Sequence, residues 1–268
     1  MASSFAEKYG RYALITGASK GLGVDFANTC ARNGLNLILV ARSEDLLRKE
    51  AARLRGEFGV DVKTIALDLS GDNILEAITP VTDPLEVGLL INNAGISRVR
   101  PFLEHTLDQL LTQLHLNTRA GLVLSYHFGK KMAERRRGGI MFLSSASAMN
   151  GTAYVANYAG TKAYNLILGE SLWQELGKYG IDVLGFMPGS TKTPGWDKNQ
   201  PKKSFIVRVM DSDKAVAEAF NALGKKPSHV AGWHNRLAYF IMEKFMTRPQ
   251  KIRTVSRSMV DIFGPFGL

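Results

Sequence analysis

The feature that most constrains this chain is an alternation, repeated about six times, of a short apolar run rich in β-branched residues and a longer stretch with helical spacing. The short runs fall at residues 12–16, 36–41, 62–67, 87–92, 139–144 and 182–187. Such runs, with little polar alternation, read as strands buried on both faces, the pattern of a parallel sheet. Between them, residues 22–33, 44–58, 73–79, 107–137 and 156–179 carry apolar side chains at helical intervals. Parallel neighbours need crossover connections, and helices supply them. The expected fold is therefore α/β, a doubly wound parallel sheet flanked by helices. Ligands of such sheets bind at the carboxyl ends of the strands.

Length and composition fit one domain spanning residues 1–268, because no repeat, low-complexity tract or linker divides the chain. A single cysteine, Cys30, excludes an intramolecular disulfide and points to a reducing, cytoplasmic setting, with the thiol read as a small buried group. No stretch approaches the ~18 consecutive apolar residues of a spanning helix, and residues 1–5 show no leader pattern, so neither secretion nor membrane insertion is expected. His105, His115, His127, His229 and His234 lack the spacing of metal ligands, and no metal is expected. The formal net charge is +10, concentrated at residues 130–137 and from Lys198 onward. That excess reads as a solvated face; a basic face of this kind also attracts nucleic acid, anionic lipid or an acidic carrier protein. Residues 130–137 have no interleaved aromatics, which argues against nucleic acid as a partner.

The first run ends in Thr16-Gly17-Ala18-Ser19-Lys20-Gly21-Leu22-Gly23, and a helix starts inside that segment. Glycines there permit a tight turn and let backbone N–H groups approach an anion at the positive end of a helix, which suggests pyrophosphate binding. The second run ends in Ala41-Arg42, where an NAD-binding fold would carry an Asp or Glu for the ribose hydroxyls. A carboxylate repels a 2′-phosphate, whereas a guanidinium binds one bidentately, so Arg42, with Lys20 as a second cation, favours NADP over NAD.

Tyr158 and Lys162 stand four residues apart in a predicted helix, which puts both on one face. A neighbouring ammonium is expected to lower the pKa of the phenol and make it a usable acid or base. Taken in order, the glycine turn, Asn92-Asn93-Ala94-Gly95, Asn117, Ser144-Ser145 and Tyr158-x-x-x-Lys162 resemble the short-chain dehydrogenase/reductase family over residues 10–193. The resemblance implies a Rossmann-like fold and carbonyl–alcohol interconversion by hydride transfer with NADP(H). It implies Tyr158 as general acid/base, Lys162 as the group that tunes it and holds the nicotinamide ribose, and Asn117 in a proton relay. Ser145 rather than Ser144 is similar to the substrate-binding serine, since it lies thirteen residues before Tyr158 and adjacent strand residues face opposite ways. Further cofactor contacts implied are Asp68, Leu69, Asn93, Ala94, Gly95, Pro188, Gly189, Thr191 and Thr193. A homodimer or homotetramer is also implied, with part of the apolar stretch Leu166, Ile167, Leu168, Leu172 and Trp173 as one candidate face and sheet packing as the other use of it.

Residues 188–226 are a candidate substrate lid, with a helix at 212–223 capped by Asp211 or Ser212, and residues 229–245 read as an amphipathic helix within an extension, 227–268, of unassigned role. Trp196, Phe205, Ile206, Val207 and Val209 in the lid favour a fairly apolar small-molecule ketone, aldehyde or alcohol as substrate. The alternative is a 3-oxoacyl-carrier-protein reductase whose basic surface receives an acidic carrier. A non-catalytic NADP-binding sensor is the reading from another class, against which the intact Ser145, Tyr158 and Lys162 set argues.

Overall fold

The computed structural model describes residues 5–192 and 209–264. After a short helix α1 (Phe5–Tyr9), the chain alternates β1 (Tyr12–Thr16), α2 (Leu22–Arg32), β2 (Asn36–Ala41), α3 (Glu44–Phe58), β3 (Val62–Ala66), α4 (Ile74–Thr82) and β4 (Val87–Asn92). The second half holds α5 (Leu107–Leu114), α6 (Ala120–Arg135), β5 (Gly138–Leu143), α7 (Ala156–Leu176), β6 (Ile181–Met187), α8 (Ser212–Ala222), β7 (Ser228–Val230), α9 (Trp233–Phe245) and α10 (Arg248–Phe263). All seven strands are parallel and lie in the order β3-β2-β1-β4-β5-β6-β7. The order reverses between β1 and β4, and the crevice above that reversal is where such sheets take ligands.

Alternation along the strands sorts the core into two layers. Ala13, Ile15, Leu37, Leu39, Leu89 and Ile91 face α2, α3 and α8, while Leu14, Ile38, Val40 and Leu90 face α4 and α6. Side chains of successive strand residues point to opposite faces, so every strand of the sheet's middle must be apolar throughout. The edge strand β3 is the exception and exposes Lys63 and Ala66. Cys30 is fully buried on the α2 side, and burial pushes its thiol well above the usual range.

Two sequence expectations need correction. The predicted helix 107–137 is broken by a π turn, His115–Arg119, between α5 and α6. The region 229–245 is not helical from its start: residues 228–230 form β7, with His229 stacked on Phe186 of β6, and the helix begins only at Trp233. Three residues at a sheet edge are too few to show a period, so the neighbouring strand rather than the local sequence decides their state. The last helix, α10, had no sequence reading; Thr247 and Gln250 form its capping box. At α8, Asp211 is the N-cap residue, without a side-chain cap bond.

Candidate active site

The loop after β1 is built from backbone. Gly17 has φ +66° and Gly21, the N-cap of α2, has φ +57°, values that favour glycine. A Cβ on Gly23 would overlap the Gly17 carbonyl oxygen and stand 2.9 Å from Asn93 Nδ2, so the helix meets the loop with no room for a side chain. Asn93 ties this loop to the end of β4: its Nδ2 donates to the Thr16 carbonyl at 2.8 Å, while its N–H and that of Ala94 both donate to Thr16 Oγ1 at 3.0 Å. No side chain caps α2. A glycine-lined helix start without a capping side chain suits the diphosphate of a dinucleotide. Ser19 is half-buried and Lys20 exposed at the turn.

Across β2, Arg42 is exposed at the end of the strand, and its charge acts on Asp68. Burial raises the Asp68 carboxyl, but hydrogen bonds from the Ser70 N–H and hydroxyl, helped by Arg42, outweigh it and hold the pKa below the usual range. Leu69 is buried in the α4 side of the core, so only its backbone is offered to the crevice. Leu22 likewise packs against the core on the α2 side.

At the carboxyl ends of β4 and β5 lies a corner made of side chains. Lys162, on α7, is 4% exposed and donates to the Leu143 carbonyl at 2.8 Å. Its ammonium stands 5.7 Å from the ring centroid of Tyr158, one turn earlier. The Ser145 side chain acts on the Tyr158 phenol and lowers its pKa, and Ser145 Oγ accepts from the Ser147 N–H at 3.3 Å. Ser144 faces the other way and donates to the Lys162 carbonyl at 2.7 Å. Asn117, in the π turn, accepts from the Ile96 N–H at 2.9 Å and donates to the Ile96 carbonyl and Thr161 Oγ1, each at 3.0 Å. A Cβ on Gly95 would lie 3.2 Å from both Asn117 Oδ1 and Lys162 Nζ, so these two side chains converge above one glycine.

The electrostatics differ from the sequence expectation. Burial pushes the Tyr158 phenol above its ordinary value, and the action of Ser145, which lowers it, does not offset that. Burial also pushes the Lys162 ammonium down to about 8. The ammonium binds a backbone carbonyl rather than the phenol oxygen, so desolvation decides both directions.

The C-terminal helices frame this corner. Asn235 of α9 lies against Gly189, whose φ is +71°, and the Met187 carbonyl accepts from the Ala231 N–H at 2.9 Å. Ser256 of α10 accepts from the Ala153 N–H at 3.0 Å, and Arg248 reaches the Met149 carbonyl at 3.4 Å. Pro188 and Gly189 follow directly on β6, and Thr191 is buried, flanked by the paired backbone of Ser190 and Lys192 with Met210. Thr193, Trp196, Phe205, Ile206 and Val207 lie outside the described residues. Of the apolar stretch in α7, Leu166 is buried and Leu168, Leu172 and Trp173 pack on the core, while Ile167 is exposed. Gln113, Asn157 and Asn165, which no sequence motif marks, complete the polar network: Asn157 donates to Gln113 at 2.8 Å, and Gln113 to the Ile96 carbonyl at 3.0 Å. A polar residue on the buried stripe of α7, as at Asn165, was the available signal.

This fold with this corner defines an oxidoreductase class that works on hydroxyl and carbonyl groups with a nicotinamide cofactor. The model of the short-chain dehydrogenases matches residues 11–204, and the chain belongs to the short-chain dehydrogenase/reductase family. The chain is 29% identical over 234 residues to a 7β-hydroxysteroid dehydrogenase of Clostridium sardiniense, covering 87% of this chain and 90% of the relative. It is 38% identical over 243 residues to a very-long-chain 3-oxoacyl-CoA reductase-like protein of Arabidopsis thaliana, covering 88% and 77%. A solved structure of a 7β-hydroxysteroid dehydrogenase superposes with a TM-score of 0.89 at 26% identity, covering 94% of this chain and 99% of that one. A short-chain dehydrogenase from Sphingobium yanoikuyae, solved with NADPH, gives 0.78 at 30% identity over 87% and 92%.

Proposed function

We propose that the protein is an NADP(H)-dependent reductase of an apolar ketone, or dehydrogenase of the matching secondary alcohol. The observation that carries this reading is the Ser145–Tyr158 hydroxyl pair, next to Lys162 and Asn117 and on the same sheet edge as the uncapped glycine turn. In this reading Gly17, Ser19, Lys20, Gly21, Leu22 and Gly23 hold the diphosphate and Arg42 with Lys20 the 2′-phosphate. Asp68, Leu69, Asn93, Ala94 and Gly95 line the adenosine side, and Pro188, Gly189, Thr191 and Thr193 the nicotinamide side. The guanidinium of Arg42 fits that role because no hydrogen bond among the described residues engages it. The bound nicotinamide supplies the hydride. Ser145 and Tyr158 bond the substrate oxygen, Tyr158 donates its proton as charge develops there, and Lys162 with Asn117 returns a proton toward the phenol. The raised pKa of Tyr158 suits this direction, since the phenol stays protonated and ready to donate.

The apolar character of the substrate is supported by Phe102 and Leu103, both exposed. Their loop is joined to the segment before Tyr158 by the Arg100 N–H bond to the Tyr154 carbonyl at 2.9 Å. Trp233, exposed at the start of α9 near Gly189, supports it from the other side. Likeness to a 7β-hydroxysteroid dehydrogenase favours a fused-ring ketone. The 38% identity to a 3-oxoacyl-CoA reductase-like protein favours a second reading, a 3-oxoacyl thioester on coenzyme A or a carrier protein. NADPH absorbance followed over steroid ketones, aryl ketones and 3-oxoacyl thioesters separates the two. Oxidation of NADPH by none of these classes would defeat the proposed activity.

A further inference from the structure

Asn165 is one turn beyond Lys162 on α7 and 3% exposed. Its Nδ2 donates to the Asn117 carbonyl at 2.9 Å and stands 3.4 Å from the Leu143 carbonyl, the acceptor that Lys162 Nζ uses at 2.8 Å. Its Oδ1 has no hydrogen-bond partner among the described residues. A buried amide with an unanswered oxygen is costly where an apolar side chain of the same shape would pack, so packing does not explain an asparagine here. The two carbonyls it spans belong to different elements: one lies in the π turn that carries Asn117, the other ends β5, from which Ser145 follows. A carbonyl oxygen has two lone pairs, and in both cases the side chain takes one.

We propose that Asn165 is a positioning residue for the proton-handling corner. Its amide clamps the π turn to the end of β5, keeping the Asn117 side chain and the Lys162 ammonium in register with Ser145. This rests on the reading of Tyr158 as the acid. Facing Lys162 are Tyr158 on its own helix, the Leu143 carbonyl from β5, the Asn117 amide from the π turn and the Gly95 backbone. Tyr158 is the only titratable group of this set. A charge placed at residue 165 therefore acts on an ammonium that no carboxylate otherwise perturbs, as burial is the sole cause of its shift.

Two variants test the clamp. Asn165→Leu keeps the shape and removes both donors. It should lower kcat about tenfold or more while both KM values stay within about threefold, the pattern of lost positioning rather than lost binding. Asn165→Asp should raise the pKa of the Lys162 amine by about one unit or more, read without cofactor by NMR of protein labelled with carbon-13 at lysine Cε and assigned with Lys162→Met. An Asn165→Leu protein with kcat within about twofold of the parent, or an Asn165→Asp protein whose Lys162 titration does not move, would overturn the proposal. Turnover surviving in Tyr158→Phe would instead strike the underlying reading, so the two failures are distinguishable.

Discussion

The glycine turn after β1 and the corner after β5 sit on the same sheet edge but are made of different material. The turn is backbone: positive φ at Gly17 and Gly21, contacts that exclude a Cβ at Gly23, and exposed cations around them. The corner is buried side chains, with Asn117, Lys162 and Asn165 all under 5% exposed and bonded to carbonyls. A backbone site fails by steric exclusion and a side-chain site by lost chemistry, so substitutions in the two should separate binding from turnover.

The largest expected effect is at the corner. Tyr158→Phe should cut kcat by about 10²- to 10⁴-fold, the span of a lost acid/base, with cofactor affinity nearly intact. Substantial residual turnover with an accepted ketone would contradict the assignment. At the turn the pattern should invert. Gly23→Ala forces a Cβ into backbone, a strain of about 1–3 kcal/mol, and should weaken NADPH binding about 5- to 150-fold by calorimetric titration. Arg42→Asp should weaken NADP about 10- to 100-fold and spare NAD, through loss of a charged bond. Equal affinity of parent and variant for NADP would remove Arg42 from the site. The smallest effect concerns stability. With Lys162 lowered from 10.5 to about 8, the unfolded chain between those pH values holds a proton that the folded chain has released. Raising pH through that window therefore favours folding, and the parent should gain Tm relative to Lys162→Met from pH 8 to 10. A constant Tm difference across that window would show that the ammonium is not desolvated as the structure indicates.

The sheet was legible because central strands buried on both faces must be apolar without interruption, and β1, β2 and β4 keep the expected bounds. The edge strand β7 was not legible, since Ser228, His229 and Val230 gain strand character only by pairing with β6. The π turn was hidden too: His115–Arg119 keeps helical spacing, and the widening serves a bond from Asn117 to residues far along the chain. The tuning of Tyr158 is likewise set by the tertiary structure. The i, i+4 spacing with Lys162 implies attraction between ammonium and phenolate, but burial and the Leu143 carbonyl govern both groups.

By itself the sequence determined the alternation of strand and helix, the glycine turn, the Arg42 position and the order of Asn117, Ser145, Tyr158 and Lys162. These are local: periodicity, missing side chains and short spacings act within one or two turns of chain. Only the tertiary structure decided that Ser144 bonds the Lys162 carbonyl, where the ammonium points, and that Asn165 spans the π turn and β5. Those outcomes depend on desolvation and on hydrogen bonds between residues 18 to 48 positions apart, which come into being only when the layers close on the sheet.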